Sequence, residues 1–367
     1  MQALKLAGIV SAPLGKIPST DIARASSRRA NITLCETGRS VLHYKKYKAK
    51  RRKMKQKFIK SLQENHILDL QKVPKSDLHN HAGRGGNIQY IGAWANAKIE
   101  PPAKPFDTLF QMQEWFENNI KCYCTGIQGY LKRIEAAFVQ AYKDNIKVLS
   151  MSFGIGEIDF LGGMELFIST VSALHQCYAP NTRFFPELAL GRESMIDIVG
   201  DRLDEILSYS WFKSVDICND EFAQPIINFK PIYKFAKASG LRLKAHVGEF
   251  GSADDVMEAV EELELDEVHH GIAASQSAQI MKWLAVNKIQ LNVCPTSNVM
   301  LKLVESYANH PIRKLYDYAV PVTINTDDLL IFNQSVSQEY LNLYNYNLMT
   351  ADELNTIREN GLNNCFI

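Results

Sequence analysis

The sequence lacks the features that would insert a protein into a membrane or crosslink it by disulfides. No uncharged apolar run in the 367 residues approaches the roughly 18 residues that a membrane-spanning helix needs. The seven cysteines are scattered and no two form a CxxC pair, which argues against a disulfide framework and against a thiolate zinc site. This cysteine usage fits a reducing compartment, and we expect a cytoplasmic protein.

Two other absences narrow the class of protein. The H-x-E…P-C-x-x-C signature of cytidine-type zinc deaminases is missing, which excludes that chemistry. There is neither an internal repeat nor a low-complexity linker. With 46% hydrophobic and 22% charged residues, the composition is that of a globular protein with a sizeable core.

Acidic residues are nearly missing from the first 60 residues, which contain 16 Lys and Arg against only Asp21 and Glu36. The rest of the chain has 25 basic and 38 acidic residues, so the net charge of +1 conceals a basic segment joined to an acidic body. The densest run, KKYKAKRRK, occupies residues 45–53. Such a run is either a polyanion-binding arm, for example for nucleic acid, or a solvated helix or subunit-docking arm. We favour the second interpretation, which includes a homo-oligomer formed through this arm.

We predict a basic N-terminal extension over residues 1–70, partly helical or flexible, and a (β/α)8 barrel over residues 71–367. Beyond Pro74, short apolar runs alternate with longer amphipathic stretches, as in βα units around a parallel sheet. Eight such units over about 290 residues match a TIM barrel, although a doubly wound sheet has a similar periodicity. The predicted strands are Val73–His79, Ile146–Phe153, Thr182–Leu190, Ser214–Cys218, Leu241–His246, Glu267–His270, Ile289–Cys294 and Val320–Asn325.

Polar residues follow nearly every predicted strand at its C-terminal end, which is where TIM barrels have their active sites. This distribution favours the barrel over the doubly wound sheet. The polar segments are residues 79–81 (HNH), 216–221 (DICNDE), 246–249 (HVGE), 269–271 (HHG), 294–298 (CPTSN) and 325–328 (NTDD).

Four of these residues form a candidate metal site. His79 and His81 are two residues apart on a strand, so their rings project from the same face. A third nitrogen from His246 and a carboxylate oxygen from Asp327 complete a plausible ligand set for zinc or a similar divalent ion. Zinc lowers the pKa of bound water towards neutrality. A lone His-x-His is more often incidental, and the combination is the more specific signal.

Three further residues could perform acid–base chemistry beside the metal. Glu249 follows His246 by three residues across a turn, and a protonated carboxyl there could donate to a ring nitrogen. Asp328 and His270 would orient a water molecule and move its proton. The alternation of side chains along a strand directs His269 to the side opposite His270, and we interpret His269 as structural.

These motifs resemble those of the adenosine/AMP deaminase family, within the metal-dependent amidohydrolases. The likeness covers Pro74 to Ile367 and not the first 70 residues. Residues 360–366 (NGLNNCF) are similar to the family's closing helix. The matching motifs are residues 74–81 (PKSDLHNH), 246–249 (HVGE), 270–272 (HGI), 294–298 (CPTSN) and 325–328 (NTDD).

The resemblance implies a TIM barrel that holds one zinc ion per chain and deaminates adenine at C6 with release of ammonia. The implied proton donor to purine N1 is Glu249, and His270 and Asp328 act on the zinc-bound water. The implied zinc ligands are His79, His81, His246 and Asp327.

Two departures from the family pattern bear on the substrate. Adenosine deaminases typically have, two residues after the HxH motif, an aspartate that contacts the ribose 5′-hydroxyl, where this chain has Gly83. A small residue beside Arg84 could admit a phosphate that a carboxylate would repel. Asn219 stands where adenosine deaminases usually have glycine. Both departures favour an adenine nucleotide such as AMP, dAMP or ATP. The predicted substrate-binding residues are Gly83, Arg84, Asn219 and Gly248.

Two other functions stay open at this point. One is deamination of the nucleosides adenosine and deoxyadenosine. The other is a non-catalytic nucleotide-binding or assembly subunit with a polyanion-binding basic arm. The segment Phe106–Phe116 resembles a helix that covers the pocket, although its apolar spacing equally suits core packing.

Overall fold

The computed structural model describes residues 48–363. Residues 1–47 and 364–367 lie outside the described residues, and with them most of the predicted basic extension and the last residues of the closing motif. The chain divides into two units between residues 53 and 54. Residues 48–53 of the first unit are helical and exposed. Within the described part, no helix is long and apolar enough to cross a bilayer.

Eight parallel strands in the second unit pair in chain order and form a nearly closed barrel. Every predicted strand overlaps one of them, so the predicted TIM barrel is confirmed. The strands are β1 (Lys75–Asp77), β2 (Ile146–Gly154), β3 (Arg183–Gly191), β4 (Ser214–Cys218), β5 (Arg242–Val247), β6 (Glu267–His270), β7 (Gln290–Val293) and β8 (Val322–Ile324).

Helices connect and surround these strands. A π-helical turn, Glu117–Lys121, follows α4, and 3-10 turns occupy Ile226–Phe229, Ile272–Gln276 and Tyr307–Asn309. The helices are α1 (residues 54–63 of this unit), α2 (Ile67–Gln71), α3 (Ile88–Ala95), α4 (Leu109–Phe116), α5 (Gly126–Lys143), α6 (Ile155–Phe160), α7 (Met164–Tyr178), α8 (Ile196–Ser208), α9 (Lys230–Ala238), α10 (Ala253–Leu263), α11 (Ala278–Asn287), α12 (Pro295–Met300), α13 (Ile312–Asp317), α14 (Leu329–Phe332), α15 (Val336–Asn345) and α16 (Ala351–Asn363).

Local sequence sets several helix boundaries. Ser252 caps α10, and its hydroxyl accepts a hydrogen bond from the Asp255 N–H, as in a capping box. Residues 226–229 form a 3-10 turn that is followed directly by α9, which has Pro231 in its first turn. Proline lacks an N–H and fits only the start of an α-helix, so the α-helical part begins here. Gly240, with φ of 79°, follows the end of α9 and stops the helix.

The junction of β1 with β8, which we call the barrel seam, is closed largely by polar contacts that involve side chains. Asn325 Oδ1 accepts the Leu78 N–H at 2.8 Å, and Thr326 Oγ1 donates to Asp77 at 2.6 Å. The Asp327 N–H donates to the His79 carbonyl at 3.0 Å. These contacts fix the segments that follow β1 and β8 side by side.

Helix α16 packs across both strands of the barrel seam. Its Gly361 approaches β1 so closely that an added Cβ would lie 2.0 Å from Ser76 Oγ. Glycine is therefore required here by the close approach of the helix to the strand.

Replacing Gly361 with alanine should lower the free energy of unfolding by about 1–3 kcal/mol, since the added methyl group overpacks the contact with Ser76. Urea titration followed by circular dichroism measures this change. Gly200→Ala in α8 is the matched control, because an added Cβ there meets no atom within 4 Å and alanine favours the helix. Equal stability of the two variants would contradict the close contact.

Candidate metal centre and active site

A cavity of about 990 Å³ opens at the carboxyl ends of the strands. Leu109, Phe110 and Phe116 of α4 line one side of it, so this helix borders the cavity and also packs in a hydrophobic cluster with α3 and α14. Both interpretations of residues 106–116 are therefore correct. The predicted metal-ligating and acid–base residues that line the cavity are His81, His246, Glu249, His270, Asp327 and Asp328.

The structure brings the four predicted metal ligands together. Nitrogens of His79, His81 and His246 lie within 4.8 Å of one another. Asp327 Oδ1 is 3.3 Å from His79 Nε2 and 3.2 Å from His81 Nε2. Three imidazole nitrogens and one carboxylate oxygen therefore converge on one point beside the cavity.

These residues fit a divalent cation. His79 is 1% exposed, and among the described residues neither of its ring nitrogens has a hydrogen-bond partner of good geometry. Burial lowers the pKa of His79 well below its ordinary value, so the ring is neutral and offers a lone pair. A buried polar atom without a partner is costly, and a bound cation would satisfy it. Three nitrogens and one carboxylate suit zinc and related ions.

The Nδ1 atoms of His81 and His246, on the side of each ring away from the candidate metal position, form hydrogen bonds with neighbouring side chains. Ser152 Oγ shares a hydrogen bond of 2.9 Å with His81 Nδ1, and His246 Nδ1 donates to Asp216 Oδ1 at 3.1 Å. Such contacts leave the Nε2 atoms directed at a metal and increase the basicity of the ring. The sequence analysis placed Asp216 at a strand end without a role and did not single out Ser152.

Glu249 is placed and protonated as a donor would be. Its Oε1 atom is buried without a hydrogen-bond partner among the described residues and lies 3.5 Å from His270 Nδ1. Burial raises the pKa of Glu249 well above its usual range, and the charges of Asp327, Glu221 and Asp328 raise it further. The neutral carboxyl therefore has a proton to donate into the cavity.

Comparison with known proteins decides the family. The chain is 32% identical over 278 residues to a putative adenosine/adenine deaminase of Treponema pallidum, over 76% of this chain and 93% of that relative. The chain belongs to the adenosine deaminase family. The family model for adenosine deaminase matches residues 210–367, and the predicted family is confirmed.

Solved structures share the fold. A zinc-bound amidohydrolase from Burkholderia ambifaria has a TM-score of 0.70 at 20% identity, covering 82% of this chain and 88% of that one. The N6-methyl-AMP deaminase of Arabidopsis thaliana has a TM-score of 0.69 at 15% identity, covering 82% of this chain and 94% of that one. These two likenesses show the fold, and the match to the adenosine deaminase family supports a deaminase.

Glu221 holds the turn of the deaminase that carries Glu249. Its carboxylate accepts the backbone N–H groups of Gly248 at 2.5 Å, Phe250 at 2.8 Å and Gly251 at 3.1 Å. Gly248 has φ of 66°, and an added Cβ would lie 2.2 Å from a Val256 methyl carbon. Gly248 therefore lies in this turn. Among the described residues that line the cavity, Glu249 is present and Gly248 is not.

Glu221→Gln should lower kcat about tenfold or more, because an amide cannot accept all three N–H groups and the Glu249 carboxyl loses its fixed position. Bound metal should stay at the wild-type level. Steady-state kinetics and metal analysis measure the two effects. Glu258→Gln, an exposed change of the same charge in α10, is the control, and full activity of Glu221→Gln would show that the turn needs no such support.

The predicted direction of the His269 side chain was wrong. Its ring is buried on the same interior side as the metal cluster, 4.0 Å from the His79 ring centroid, and its Nε2 donates to Glu187 Oε1 at 3.0 Å. Strand alternation fails at this point because His270 has φ of 62°, which reverses the direction of its side chain. Lys244 pairs with Glu187 at 2.7 Å and anchors this layer beneath the site.

A chain of side chains orients His270. The Ile312 N–H donates to His310 Nδ1 at 3.1 Å, so His310 Nε2 carries the proton and donates to Asn298 Oδ1 at 3.2 Å. The Asn298 amide nitrogen then donates to His270 Nδ1 at 3.4 Å. Burial lowers the pKa of His270 to about 3. No motif near His310 in the sequence points to the site.

The predicted substrate-binding residues lie on the cavity wall with the exception of Gly248. Arg84 donates to Asp328 Oδ2 at 2.9 Å and to Gln113 of α4. Asn219, exposed with φ of 74°, donates to Glu193 at 2.8 Å. The guanidinium of Arg84 is thus already paired with a carboxylate. Gly83 lies beside another cation, Arg133, which the sequence analysis did not identify.

Proposed function

We propose that this deaminase hydrolyses the 6-amino group of an adenine compound, using one zinc ion per chain, and that adenine nucleotides such as AMP, dAMP or ATP are its preferred substrates. The observation that carries the proposal is the convergence of three imidazoles and Asp327 beside the buried, protonated Glu249. A metal-binding site and a protonated carboxyl group at the floor of one cavity suit the addition of water to a purine ring. That ring must be protonated as it reacts.

The residues take distinct roles in this proposal. His79, His81, His246 and Asp327 hold zinc, which supplies Lewis acidity and makes water near it more acidic. Glu249 donates its proton to N1 of the purine, which makes C6 more electrophilic. His270 and Asp328 orient the attacking water and accept its proton. Asp328 Oδ1 is buried without a partner among the described residues and is free for this contact. Loss of ammonia from C6 leaves the hypoxanthine compound.

The wall near Gly83 supports a phosphorylated substrate. Arg84 and Arg133 both border this part of the cavity, with their guanidinium carbons 4.7 Å and 5.3 Å from the Phe116 ring centroid. A glycine here leaves room beside two cations, where a carboxylate would repel a phosphate.

Unphosphorylated adenosine or adenine is the second candidate. The Treponema pallidum relative supports it, since that protein is described as a putative adenosine/adenine deaminase. A non-catalytic role would require that this intact set of acid, base and metal-ligating groups serve binding alone. The polyanion-binding arm stays a prediction, because residues 1–47 lie outside the described part of the chain.

Incubation of the zinc-loaded protein with adenine, adenosine, deoxyadenosine, AMP, dAMP and ATP should release ammonia fastest from a nucleotide. Coupled ammonia detection and chromatography of the hypoxanthine product measure the rates. Preference for adenosine or adenine would keep the chemistry and reject the phosphate preference. No turnover of any of the six, with zinc verified, would reject the proposed reaction.

Glu249→Gln should reduce kcat by about 10²–10⁴-fold, because a neutral amide fills the same space without an acidic proton. The zinc content and the unfolding temperature should match those of wild type, since Glu249 is not one of the four ligands. Glu258→Gln controls for the charge change. Near wild-type turnover by Glu249→Gln would assign the proton donor elsewhere.

A further inference from the structure

Arg133 of α5 is a buried cation on the cavity wall. Arg133 is 7% exposed and lines both the main cavity and a neighbouring pocket of about 260 Å³. Its Nη1 donates to the Gly83 carbonyl at 3.0 Å, and its guanidinium lies over the rings of Phe116 and Tyr130. The Nε atom has no hydrogen-bond partner among residues 48–363. Aromatic faces and one neutral carbonyl are its only assigned contacts in this part of the chain.

This guanidinium has no carboxylate partner. Within the described residues, no acidic oxygen forms an ion pair with it inside 4.0 Å. Glu157 also lines the cavity, but its carboxylate accepts the Gly154 N–H at 3.0 Å, and burial raises its pKa. A buried charge without a counter-ion is costly, and proteins keep one mainly where something else supplies the opposite charge.

The other cations of this wall are neutralised. Arg84 is 2.9 Å from Asp328, and Lys121 is 2.7 Å from Glu117. Among the residues that the structure describes, one positive charge therefore remains uncompensated at this end of the cavity, and it belongs to Arg133. Removing Arg84 would leave Asp328 without its partner. The two arginines therefore differ, because the charge of Arg84 is already paired within the site.

Gly83 keeps Arg133 uncompensated. A Cβ added at Gly83 would lie 3.4 Å from Arg133 Nη1 and 3.3 Å from Tyr130 Cε2. An aspartate at this position would bring its carboxylate against the guanidinium and neutralise it. The glycine therefore leaves the guanidinium available to an anion that enters the cavity.

We propose that Arg133 is the counter-ion for a phosphate group of the substrate and determines the preference of this deaminase for nucleotides. The inference rests on the proposed function and assigns to Arg133 the phosphate contact that the sequence suggested for Arg84. A phosphate accepts charge-assisted hydrogen bonds from guanidinium nitrogens in a planar, two-point geometry. The pocket of about 260 Å³, which Arg133 shares with the main cavity, gives space on the far side for further phosphate oxygens.

A binding experiment tests this without turnover. Inorganic phosphate, compared with chloride at equal ionic strength, should raise the unfolding temperature of the zinc-loaded full-length protein. Arg133→Met should lose this shift, and Arg133→Lys should retain part of it. Arg202→Met is the control, because Arg202 lies in α8 and pairs with Asp159 at 2.7 Å. Without phosphate, Arg133→Met should unfold at or above the wild-type temperature, because it removes a buried, unpaired charge.

Kinetics supply the second test. Arg133→Met should lower the ratio of kcat/KM for AMP to kcat/KM for adenosine by about ten- to a hundredfold, as expected for one lost charge-assisted hydrogen-bonding group. Gly83→Asp should lower the same ratio, because its carboxylate replaces the phosphate as partner of Arg133. Adenosine is the internal reference in both cases.

The outcomes separate this inference from the proposed function. Equal losses for AMP and adenosine, or a marked fall in the unfolding temperature of Arg133→Met in chloride, would make Arg133 a structural support of Gly83 and overturn the inference. Turnover of adenosine alone by wild type would overturn it too and leave the deamination chemistry standing. If no adenine compound reacts, the proposed function fails, and the phosphate shift alone decides the role of Arg133.

Discussion

Closure of the barrel seam is the constraint on which the active site depends. The candidate metal site takes two residues from the segment after β1 and one from the segment after β8. An isolated parallel bridge between Asn80 and Asp327 joins these segments, rather than a longer ladder. Asp77, Asn325 and Thr326 bind the two segments together through side chains and backbone groups, while α16 covers the same junction. The position of Asp327 relative to His79 is therefore set by polar contacts beneath the site, and the remaining ligand, His246, is delivered by a regular strand.

Around this frame, burial sets the protonation states that the chemistry uses. Burial lowers the pKa of His79 and raises that of Glu249, so the same low-polarity environment favours a neutral imidazole and a protonated carboxyl. Neighbouring carboxylates then orient these groups. Asp216 binds the ring of His246, and Glu221 binds the backbone of the turn that includes Glu249. Arg133 is buried as well, but a guanidinium stays charged in proteins. We therefore infer that its charge is balanced by an anion from outside the chain.

Sequence patterns that depend on neighbouring residues predicted the structure well. Apolar runs located all eight strands, and their polar ends located the cavity floor. Predictions failed or fell short where irregular backbone or distant residues decide the outcome. The direction of the His269 side chain departs from strand alternation because the backbone of His270 is left-handed. The role proposed for Arg133 is not visible in the sequence of α5, where Arg133 is one residue of an amphipathic helix. It depends on Gly83, which lies 50 residues earlier, in the loop after β1.

The barrel seam also determines when the residues of the site can come together during protein synthesis. A ribosome releases His79 and His81 with the first βα unit, but their partner Asp327 emerges only after seven further strands have been made. Until then the growing chain carries paired imidazoles on an open sheet edge, a state that favours pairing with other chains. All four candidate ligands can therefore surround a metal ion only after the barrel has closed.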